Sequence, residues 1–488
     1  MSICDTETHK GRRPQGLNFL DIADGISRRV EGAGDAVTGA LFEPVIRLGV
    51  TGLSRAGKTV FITALVANLL DRGRMPGLRA AAEGRIAAAY LQPQPDDTVP
   101  RFDYETHLAA MTGPAPHWPE STRAVSQLRL SLRVRPAGFL AGLPGPRTVH
   151  LDIVDYPGEW LMDLALLERD YRSWAQDTLG RLDKHADAQG FVERARAADP
   201  DAPHDEALAQ DLARRFTRYL GHARERGDYG CTPPGRFLLP GEMEGSPALT
   251  FAPIPVAAPS RRGTLHREME RRFEAYKAKV VRPFFRDHLS RIDRQVVLVD
   301  ALQAIHDGPR AVETLRRTMA DVLTAFRPGK NTALARLLRG RRVDRILFAA
   351  TRADHLHHDQ HPRLRAIMQA LTRDARDRAQ FAGARTEAMA IAALRATVED
   401  SITHAGQRLN CVRGLLEGDT RRVALYPGEL PEDPAQLLGP ARAGAERWLD
   451  AQYDVMRFAP APLSLKPGDG PPHIRLDRAA EFLIGDKL

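Results

Sequence analysis

Short hydrophobic runs alternate along the chain with longer segments of helical spacing. Six runs have the apolar or alternating pattern of strands, at 44–52, 127–135, 147–158, 295–302, 342–351 and 386–394. The second and third runs follow each other closely and are predicted to form an antiparallel pair. Because helical patterns separate the later strands, we predict an α/β fold with a mostly parallel sheet covered on both faces. Residues 71–125 are rich in proline and are predicted to be irregular.

A long helical pattern interrupts this alternation between residues 160 and 290. The segment is too long for a connection between strands, so we interpret it as an inserted α-helical subdomain. Residues 17–30 have a short amphipathic pattern with two aspartates, which favours docking on the protein over a membrane surface. The predicted organisation has five parts: a tail and amphipathic helix in 1–40, a first core part in 41–159, the insert in 160–290, a second core part in 291–410, and a C-terminal extension packing on the core in 411–488.

The charge of the chain narrows the possible functions only slightly. Its 488 residues include 70 basic and 62 acidic side chains, a net charge of +8, and its arginines are spread through helical segments without a dense block. This pattern favours solvated helical faces over a specific nucleic-acid site. No run approaches the roughly 20 apolar residues that cross a bilayer, and the N-terminus lacks a signal-peptide pattern, so we expect a cytoplasmic protein. Cys4, Cys231 and Cys411 have no spacing typical of a disulfide framework or a zinc site.

The strongest motif is GLSRAGKT, which runs from Gly52 to Thr59 between a predicted strand and an apolar helix. It matches G-x-x-x-x-G-K-[ST], in which backbone N–H groups and a helix N-terminus face a phosphate, the lysine reaches the β- and γ-phosphates and the hydroxyl binds Mg²⁺. Lys58 is the one lysine between residues 11 and 183, and arginine does not replace lysine around a phosphate. The expected nucleotide contacts of this loop are Gly52, Ser54, Arg55, Ala56, Gly57, Lys58, Thr59 and Val60.

A second motif, D-x-x-G, follows the strand predicted at 147–158. Asp155 and Gly158 fit the switch of GTPases, where the aspartate reaches Mg²⁺ through water and the glycine N–H meets the γ-phosphate. An AAA-type ATPase would end this strand in Asp-Glu, and Tyr156 stands in place of that glutamate. Ras-like proteins carry a water-orienting glutamine after the glycine, whereas this chain has Glu159. Because a carboxylate repels the γ-phosphate and cannot donate like an amide, we expect slow hydrolysis.

The sequence TRAD, at the end of a later strand, resembles the guanine motif [NT]-K-x-D. Thr351 begins it, Arg352 takes the lysine position, and Asp354 is the base-reading carboxylate. That carboxylate would accept hydrogen bonds from the N1–H and N2–H₂ edge of guanine, which adenine cannot supply. An arginine plane can stack on the purine as the lysine stem does. Ala393 stands where a final S-A-[KL] motif would contact guanine O6 through a backbone N–H, although the serine is missing.

The first switch should offer a hydroxyl to Mg²⁺ from the segment before the strand predicted at 127–135. Thr122 is the first candidate and Ser121 the second, with Thr106 as a distant alternative. The competing interpretation is that this segment is a proline-containing loop whose role is to pack Trp118 against the protein.

Seven segments together carry a family resemblance: GLSRAGKTVF, HWPESTRAVSQLRLSLR, LDIVDYPGEW, VVLVDALQ, ATRADH, ALYPGELP and HIRLDRAAEFLIGDKL. In this order, and over almost the whole chain, they resemble the YcjX-like family of bacterial P-loop NTPases. The resemblance implies a Ras-like P-loop NTPase core with a helical insertion. It also implies a cytoplasmic, stress-related protein linked to envelope maintenance, with a membrane-protein partner or an association with the surface of the inner membrane. The phosphate loop alone also resembles that of Arf-type GTPases.

These motifs predict a guanine-nucleotide-binding NTPase that hydrolyses GTP slowly with Mg²⁺ and acts as a switch. Thr59 and Thr122 would hold the metal, with Asp155 acting through water, while Lys58 compensates phosphate charge. Three residues are catalytic candidates: Lys58, Glu159 and Arg55. Two alternatives remain open at this point, an ATP-dependent enzyme and a nucleotide-stabilised scaffold with negligible hydrolysis.

Overall fold

The fold is built around one large sheet whose strands come from both halves of the chain. A computed structural model describes residues 43–53, 55–120, 124–136, 146–183, 185–225, 233–256, 259–324, 343–404, 406–419, 421–449 and 452–488. The amphipathic segment predicted at 17–30 lies outside these ranges. In the sheet the order is β2-β3-β4-β1-β5-β6-β7. Its strands are β1 (Val45–Gly52), β2 (Ile86–Gln92), β3 (Ser126–Val134), β4 (Arg147–Asp155), β5 (Arg294–Val299), β6 (Arg345–Ala350) and β7 (Arg385–Ala390).

Parallel pairing dominates this sheet, as the sequence predicts. Strand β1 lies between β4 and β5 and is parallel to both, and β6 and β7 continue the parallel part. Strands β2 and β3 add an antiparallel edge beside β4. Because Val50 of β1 is opposite Asp155 of β4, the loop after β1 and the D-x-x-G segment leave the same edge of the sheet. The α/β prediction, with a mostly parallel sheet, is confirmed.

The two faces of the sheet bury two separate hydrophobic cores. Along β5, Val296 and Leu298 point into one core, while Val297 and Val299 point into the other, as the two-residue period of a strand requires. The first core is covered by α1 (Lys58–Leu70) and by the last helix of the chain, Leu476–Ile484. The second is continuous with the helical insert. The buried run Val296–Val299 is therefore apolar on both faces, which is typical of a parallel strand.

Further helices follow in chain order. They are α2 (Arg79–Ala82), α3 (Tyr104–Thr112), α4 (Glu159–Met162), α5 (Tyr171–Leu182), α6 (Gln189–Arg196), α7 (Glu206–Glu225), α8 (Leu265–Tyr276), a π-helical turn (Lys277–Val281), α9 (Arg282–Asp287), α10 (Ala301–Asp307), α11 (Pro309–Thr324), α12 (His361–Leu371), α13 (Arg373–Phe381), α14 (Ala435–Ala443) and α15 (Leu476–Ile484). In the part of the chain that the structure describes, no helix combines the length and the apolar composition of a membrane span.

The helices between β4 and β5 form the inserted subdomain. Its interior is aromatic, and Trp174 of α5 is its centre. The Trp174 ring packs against Phe216 of α7, Phe251 and Phe273 of α8 at centroid distances of 5.0 to 6.1 Å. Such a cluster buries large apolar surfaces in defined geometry, and it belongs to the core that the insert shares with one face of the sheet.

Two segments differ from the sequence-based expectation. The prediction of irregular structure throughout 71–125 was wrong, because this region contains α2, the edge strand β2 and α3. Three consecutive alanines give β2 a low strand propensity, so its sequence does not indicate a strand. The second difference is a three-stranded antiparallel sheet near the C-terminus, formed by β8 (Thr397–His404), β9 (Gln407–Leu415) and β10 (Arg422–Leu425). The predicted division between residues 410 and 411 lies within β9.

Candidate functional site

The phosphate loop links the C-terminal end of β1 to the N-terminus of α1. Gly57, directly before the helix, has φ 85°, a left-handed conformation that glycine adopts without strain. Arg55 has φ 64°, which is unusual for a residue with a side chain. The N–H of Ala56 donates to the carbonyl of Leu53 at 3.1 Å and tightens the turn. The loop therefore ends in a helix N-terminus, which is favourable for an anion. Ser54 lies outside the described residues.

Lys58 folds back over the loop from the first turn of α1. Its Nζ donates to the carbonyl oxygen of Gly52 at 3.3 Å, and its side chain is half-buried. An ammonium has three protons, so this bond leaves two donors for a bound anion. Thr59, the next residue, is buried and faces the same cavity as Lys58.

The D-x-x-G segment packs directly against the phosphate loop. Gly158 lies so close that a Cβ on it would be 2.7 Å from the carbonyl oxygen of Gly52. A side chain at residue 158 would therefore push the two segments apart, which explains the glycine in structural terms. Asp155, at the end of β4, is buried and lies opposite Val50 of the neighbouring strand.

Glu159 does not face the phosphate loop in this structure. It is the first residue of α4, it is buried, and it accepts a hydrogen bond at 3.1 Å from the Arg224 guanidinium of α7 in the insert. A second insert residue, Gly235, approaches so closely that a Cβ on it would be 2.3 Å from the Glu159 carbonyl oxygen. The residue after D-x-x-G is therefore held by the insert, and the structure does not bring it together with Lys58.

The next residues of the D-x-x-G segment are also bound to the insert. Trp160 stacks under the Arg236 guanidinium, whose carbon is 3.2 Å from the ring centroid. Asp163 is buried and accepts hydrogen bonds at 2.6 Å from the Tyr276 hydroxyl and from the Gly235 N–H. Burial dominates over these bonds and raises the pKa of Asp163 to about 6.

The TRAD segment forms the other end of the site, beyond β6. The Thr351 N–H donates to the carbonyl of Val299 at 2.9 Å, which fixes the start of the segment to β5. Arg352 has φ 58° and forms an ion pair with Asp300 at 3.0 Å. Its guanidinium is thereby held at the end of the neighbouring strand.

Asp354 is buried, and its carboxylate is oriented by the segment that leads into β8. Its Oδ2 accepts a hydrogen bond from the Ala396 N–H at 2.8 Å, and its carbonyl accepts one from the Thr397 hydroxyl. The next residue, His355, packs edge-on against Phe458, with ring centroids 5.2 Å apart. Burial lowers the pKa of His355, which favours the neutral imidazole.

One cavity of about 400 Å³ joins these segments. It is lined at one end by the phosphate loop and α1, from Arg55 to Phe61, and at the other by Thr351, Arg352, Asp354 and His355. Ala392, Ala393 and Leu394 complete the second end. Among the described residues, the lining includes neither Asp155, Gly158 nor Glu159, although Gly158 is in contact with the loop from behind.

A third wall of the cavity combines the start of the predicted first-switch segment with residues that the sequence did not assign to the site. It consists of Trp118, Pro119, Glu120, Glu417, Arg457 and Phe458. The Trp118 indole donates to the Phe458 carbonyl at 2.7 Å, joining the segment before β3 to the C-terminal part of the chain. The sequence signal here was the position of this segment directly before the predicted strand, whereas no motif indicated Glu417, Arg457 or Phe458. Ser121 and Thr122, the candidates for the first switch, lie outside the described residues, and Thr106 lies on α3 and is not among the residues that line the cavity.

A phosphate loop after β1, a D-x-x-G segment on the adjacent strand and a parallel sheet define a P-loop NTPase with a Ras-like core. The family model described as YcjX-like family, DUF463, matches residues 46–488, and the chain belongs to this family. It is 40% identical over 458 residues to the Ras-like GTPase YcjX of Escherichia coli (strain K12), covering 91% of this chain and 96% of that protein. It is 35% identical over 469 residues to the Ras-like GTPase YcjX of Shewanella oneidensis (strain MR-1), covering 91% and 94%.

Proposed function

We propose that this protein binds guanine nucleotides and hydrolyses GTP slowly with Mg²⁺, and that its helical insert responds to the nucleotide state. The observation that carries the proposal is the single cavity between the phosphate loop and Asp354. A cavity of about 400 Å³ is in the range that accommodates small ligands. The names of the two relatives, both Ras-like GTPases, support the same activity.

Guanine selectivity is proposed from the geometry of Asp354. The Ala396 N–H holds one carboxylate oxygen, and each carboxylate oxygen has a second lone pair, so acceptor capacity remains for the two donors of guanine. Adenine presents no such pair of donors at this edge. Ala393 and Arg352 line the same end, where a backbone N–H could meet guanine O6 and a guanidinium could stack on the base.

The residues around the phosphate loop suit Mg²⁺. Thr59 offers a hydroxyl oxygen inside the cavity, and Asp155 offers a buried carboxylate at the end of the adjacent strand. Mg²⁺ prefers oxygen ligands of this kind together with phosphate oxygens and water. When bound, the ion would neutralise charge on the β- and γ-phosphates. Thr122 remains our candidate for a further hydroxyl ligand.

Slow hydrolysis is proposed from the position of Glu159. Its carboxylate is paired with Arg224, so in this conformation it neither orients nor deprotonates water beside Lys58. Among the chain's own cations, Lys58 would face the β- and γ-phosphates and Arg55, at the exposed rim, would approach the γ-phosphate. Water positioning would then depend on movement of Glu159 or on a partner.

Coupling to the insert is proposed from the contacts on either side of Gly158. This glycine touches the phosphate loop, whereas the next residue contacts Arg224 and Gly235 of the insert. A γ-phosphate that draws the Gly158 N–H toward it would therefore pull on the insert. Hydrogen exchange across residues 159–180 should differ between the GDP form and a non-hydrolysable GTP analogue. Identical protection with the loop demonstrably occupied would favour the scaffold alternative.

The decisive experiment identifies the nucleotide that co-purifies and then measures competition between GDP and ADP. We expect GDP to bind at least about tenfold more tightly. Equal affinities would favour the ATP-dependent alternative, and GDP binding without Mg²⁺-dependent turnover would favour the scaffold. The family resemblance adds a cytoplasmic or peripheral inner-membrane location and a role in envelope stress. Cell fractionation with a high-salt wash of the membranes tests the location independently of the nucleotide.

A further inference from the structure

A cluster of histidines and carboxylates lies beside the base-binding end, outside the cavity described above. It consists of His357, His358 and Asp359, which follow the TRAD segment, and of Glu399 on β8. The potential ligand atoms of the first three residues all lie within 4.8 Å of one another. We propose that this cluster is a binding site for a divalent transition-metal ion of the Zn²⁺ type.

The first argument is the convergence of three ligand atoms. Asp359 Oδ2 is 2.9 Å from His357 Nδ1, and Asp359 Oδ1 is 3.2 Å from His358 Nε2. Bonds of about 2.1 Å to tetrahedral Zn²⁺ place neighbouring ligand atoms roughly 3.3 Å apart, so small adjustments would admit the ion. Apart from this contact with Asp359, the buried Nδ1 of His357 has no hydrogen-bond partner among the described residues.

The second argument is the support behind these ligands. His358 Nδ1, on the opposite side of the ring from Nε2, is hydrogen-bonded to Glu399 Oε2 at 2.9 Å. Nε2 of His357 is 3.8 Å from the same oxygen. Asp359 Oδ2 accepts a hydrogen bond from the Asn410 amide of β9 at 2.9 Å. Metal-binding histidines commonly donate their second N–H to a carboxylate, which fixes the tautomer and the orientation of the ring.

The chemistry of the donor set selects the metal. Two imidazoles and a carboxylate suit Zn²⁺, Co²⁺ or Ni²⁺, whereas Mg²⁺ and Ca²⁺ prefer oxygen ligands. Because His358 and Asp359 are exposed, water can fill the remaining position. Through Glu399, the ion would connect the segment that follows TRAD to β8. The residues that lead into β8 also hold the Asp354 carboxylate.

The site can be tested on the full-length, tag-free protein after treatment with a chelator. In calorimetric titrations, the wild type should bind one more Zn²⁺ ion per chain than the double variant His357→Gln/His358→Gln. Titration with Co²⁺ should give visible ligand-field absorption that the double variant lacks. His404→Gln, at the exposed end of the same β8 strand, is the matched control and should bind like the wild type.

Two further single variants distinguish loss of the metal site from loss of the fold. Asp359→Asn alters an exposed side chain and should weaken Zn²⁺ binding at least tenfold, while Glu399→Gln should weaken it roughly 10- to 100-fold through loss of ring support. Circular dichroism must show that each variant is folded. Equal Zn²⁺ stoichiometry and affinity in the wild type and the double variant would overturn the proposal, as would displacement of Zn²⁺ from these residues by equimolar Mg²⁺.

Discussion

The two ends of the nucleotide cavity are built in different ways. The phosphate end is lined by one continuous stretch, from Arg55 to Phe61, and its left-handed turn at Gly57 follows from the local sequence. The base end is assembled from segments around Asp354 and Ala393, and the third wall beside it adds Glu417 and Phe458; these segments are far apart in the chain. Binding of phosphate therefore depends on a short motif, whereas recognition of the base depends on the C-terminal part of the fold.

The two ends are also supported by different neighbours. Behind the phosphate end, Gly158 and Glu159 connect the loop to the helical insert. At the base end, Asp354 is held by Ala396 and Thr397, where the three-stranded sheet begins. This division implies that a disturbance of the insert should affect phosphate-dependent events first, and a disturbance of the small sheet should affect base selectivity first.

The largest effect is expected at Lys58. Lys58→Ala should weaken binding of GDP and GTP by about 1,000-fold, roughly 4 kcal/mol, because a charged partner of the phosphates is lost. Lys58→Arg should also bind weakly, since a planar fork does not replace a point charge there. Fluorescent-nucleotide titration measures the affinity, with Lys279→Ala, an exposed lysine of the insert, as the control. If the alanine variant bound nucleotide with unchanged affinity, Lys58 would not be a phosphate-binding residue.

The next effect should be confined to the base end. Asp354→Asn should weaken GDP binding by about 100-fold, because an amide cannot accept from both guanine donors while it accepts from the Ala396 N–H. Binding of xanthosine diphosphate should improve, since the new N–H can donate to the second xanthine oxygen. Competition titrations with GDP, xanthosine diphosphate and inorganic pyrophosphate distinguish a change in base selectivity from a general loss of nucleotide binding. Equal weakening toward pyrophosphate would contradict the division between the two ends.

A smaller effect is expected where the phosphate end meets the insert. Arg224→Ala should lower the free energy of unfolding by about 2 kcal/mol, because it leaves the buried Glu159 carboxylate without that ion pair. Adding Glu159→Gln should restore part of the loss, since the neutral amide is cheaper to bury. Chemical denaturation measures both values, and Arg215→Ala, in a more exposed pair with Asp211, should change stability by less than about 0.5 kcal/mol. A similar loss in both arginine variants would show that burial of Glu159 is unimportant.

The last effect, which is the smallest per pH unit, is a pH dependence at Asp163. Because burial raises its pKa in the folded state to about 6, from 3.8, the folded protein binds this proton more tightly than the unfolded chain. The contribution of Asp163 to stability should therefore increase as the pH falls from 6 toward 4, by about 1 kcal/mol per pH unit. The difference in unfolding free energy between the wild type and Asp163→Asn, measured between pH 4.5 and 7, isolates this group. A difference that stays constant with pH would contradict the assignment.

The difference between the phosphate end and the base end of the cavity also explains how much could be predicted from the sequence. The phosphate loop and the parallel strands were predictable, because glycine positions and apolar periodicity are local signals. The edge strand β2 was missed since Ala87, Ala88 and Ala89 carry little strand preference. Phe458 and Glu417 reach the cavity through tertiary contacts that no local pattern encodes.

Glu159 shows a further limit of prediction from motifs. Its position after D-x-x-G predicted a role beside the γ-phosphate, and that role remains a proposal. The partner of its carboxylate, Arg224, lies 65 residues further along the chain, on a helix whose sequence resembles an ordinary solvated amphipathic segment. In a chain with this many arginines, nothing local distinguishes the one that reaches a buried carboxylate.

The central position of β1 has a consequence for the order in which the protein can be made. Arg47 of β1 is hydrogen-bonded through its N–H to Asp293, 246 residues further along the chain. Leu48 shares its hydrophobic core with Leu483 of α15, and Arg294 donates hydrogen bonds to the Leu483 carbonyl and to Asp486. Contacts between such distant segments form late, because long loops must close first. A nascent chain that already displays the complete phosphate motif still lacks the helix that covers this core until α15 has left the ribosome, so we expect that ribosome-bound chains stalled before Leu476 do not retain nucleotide.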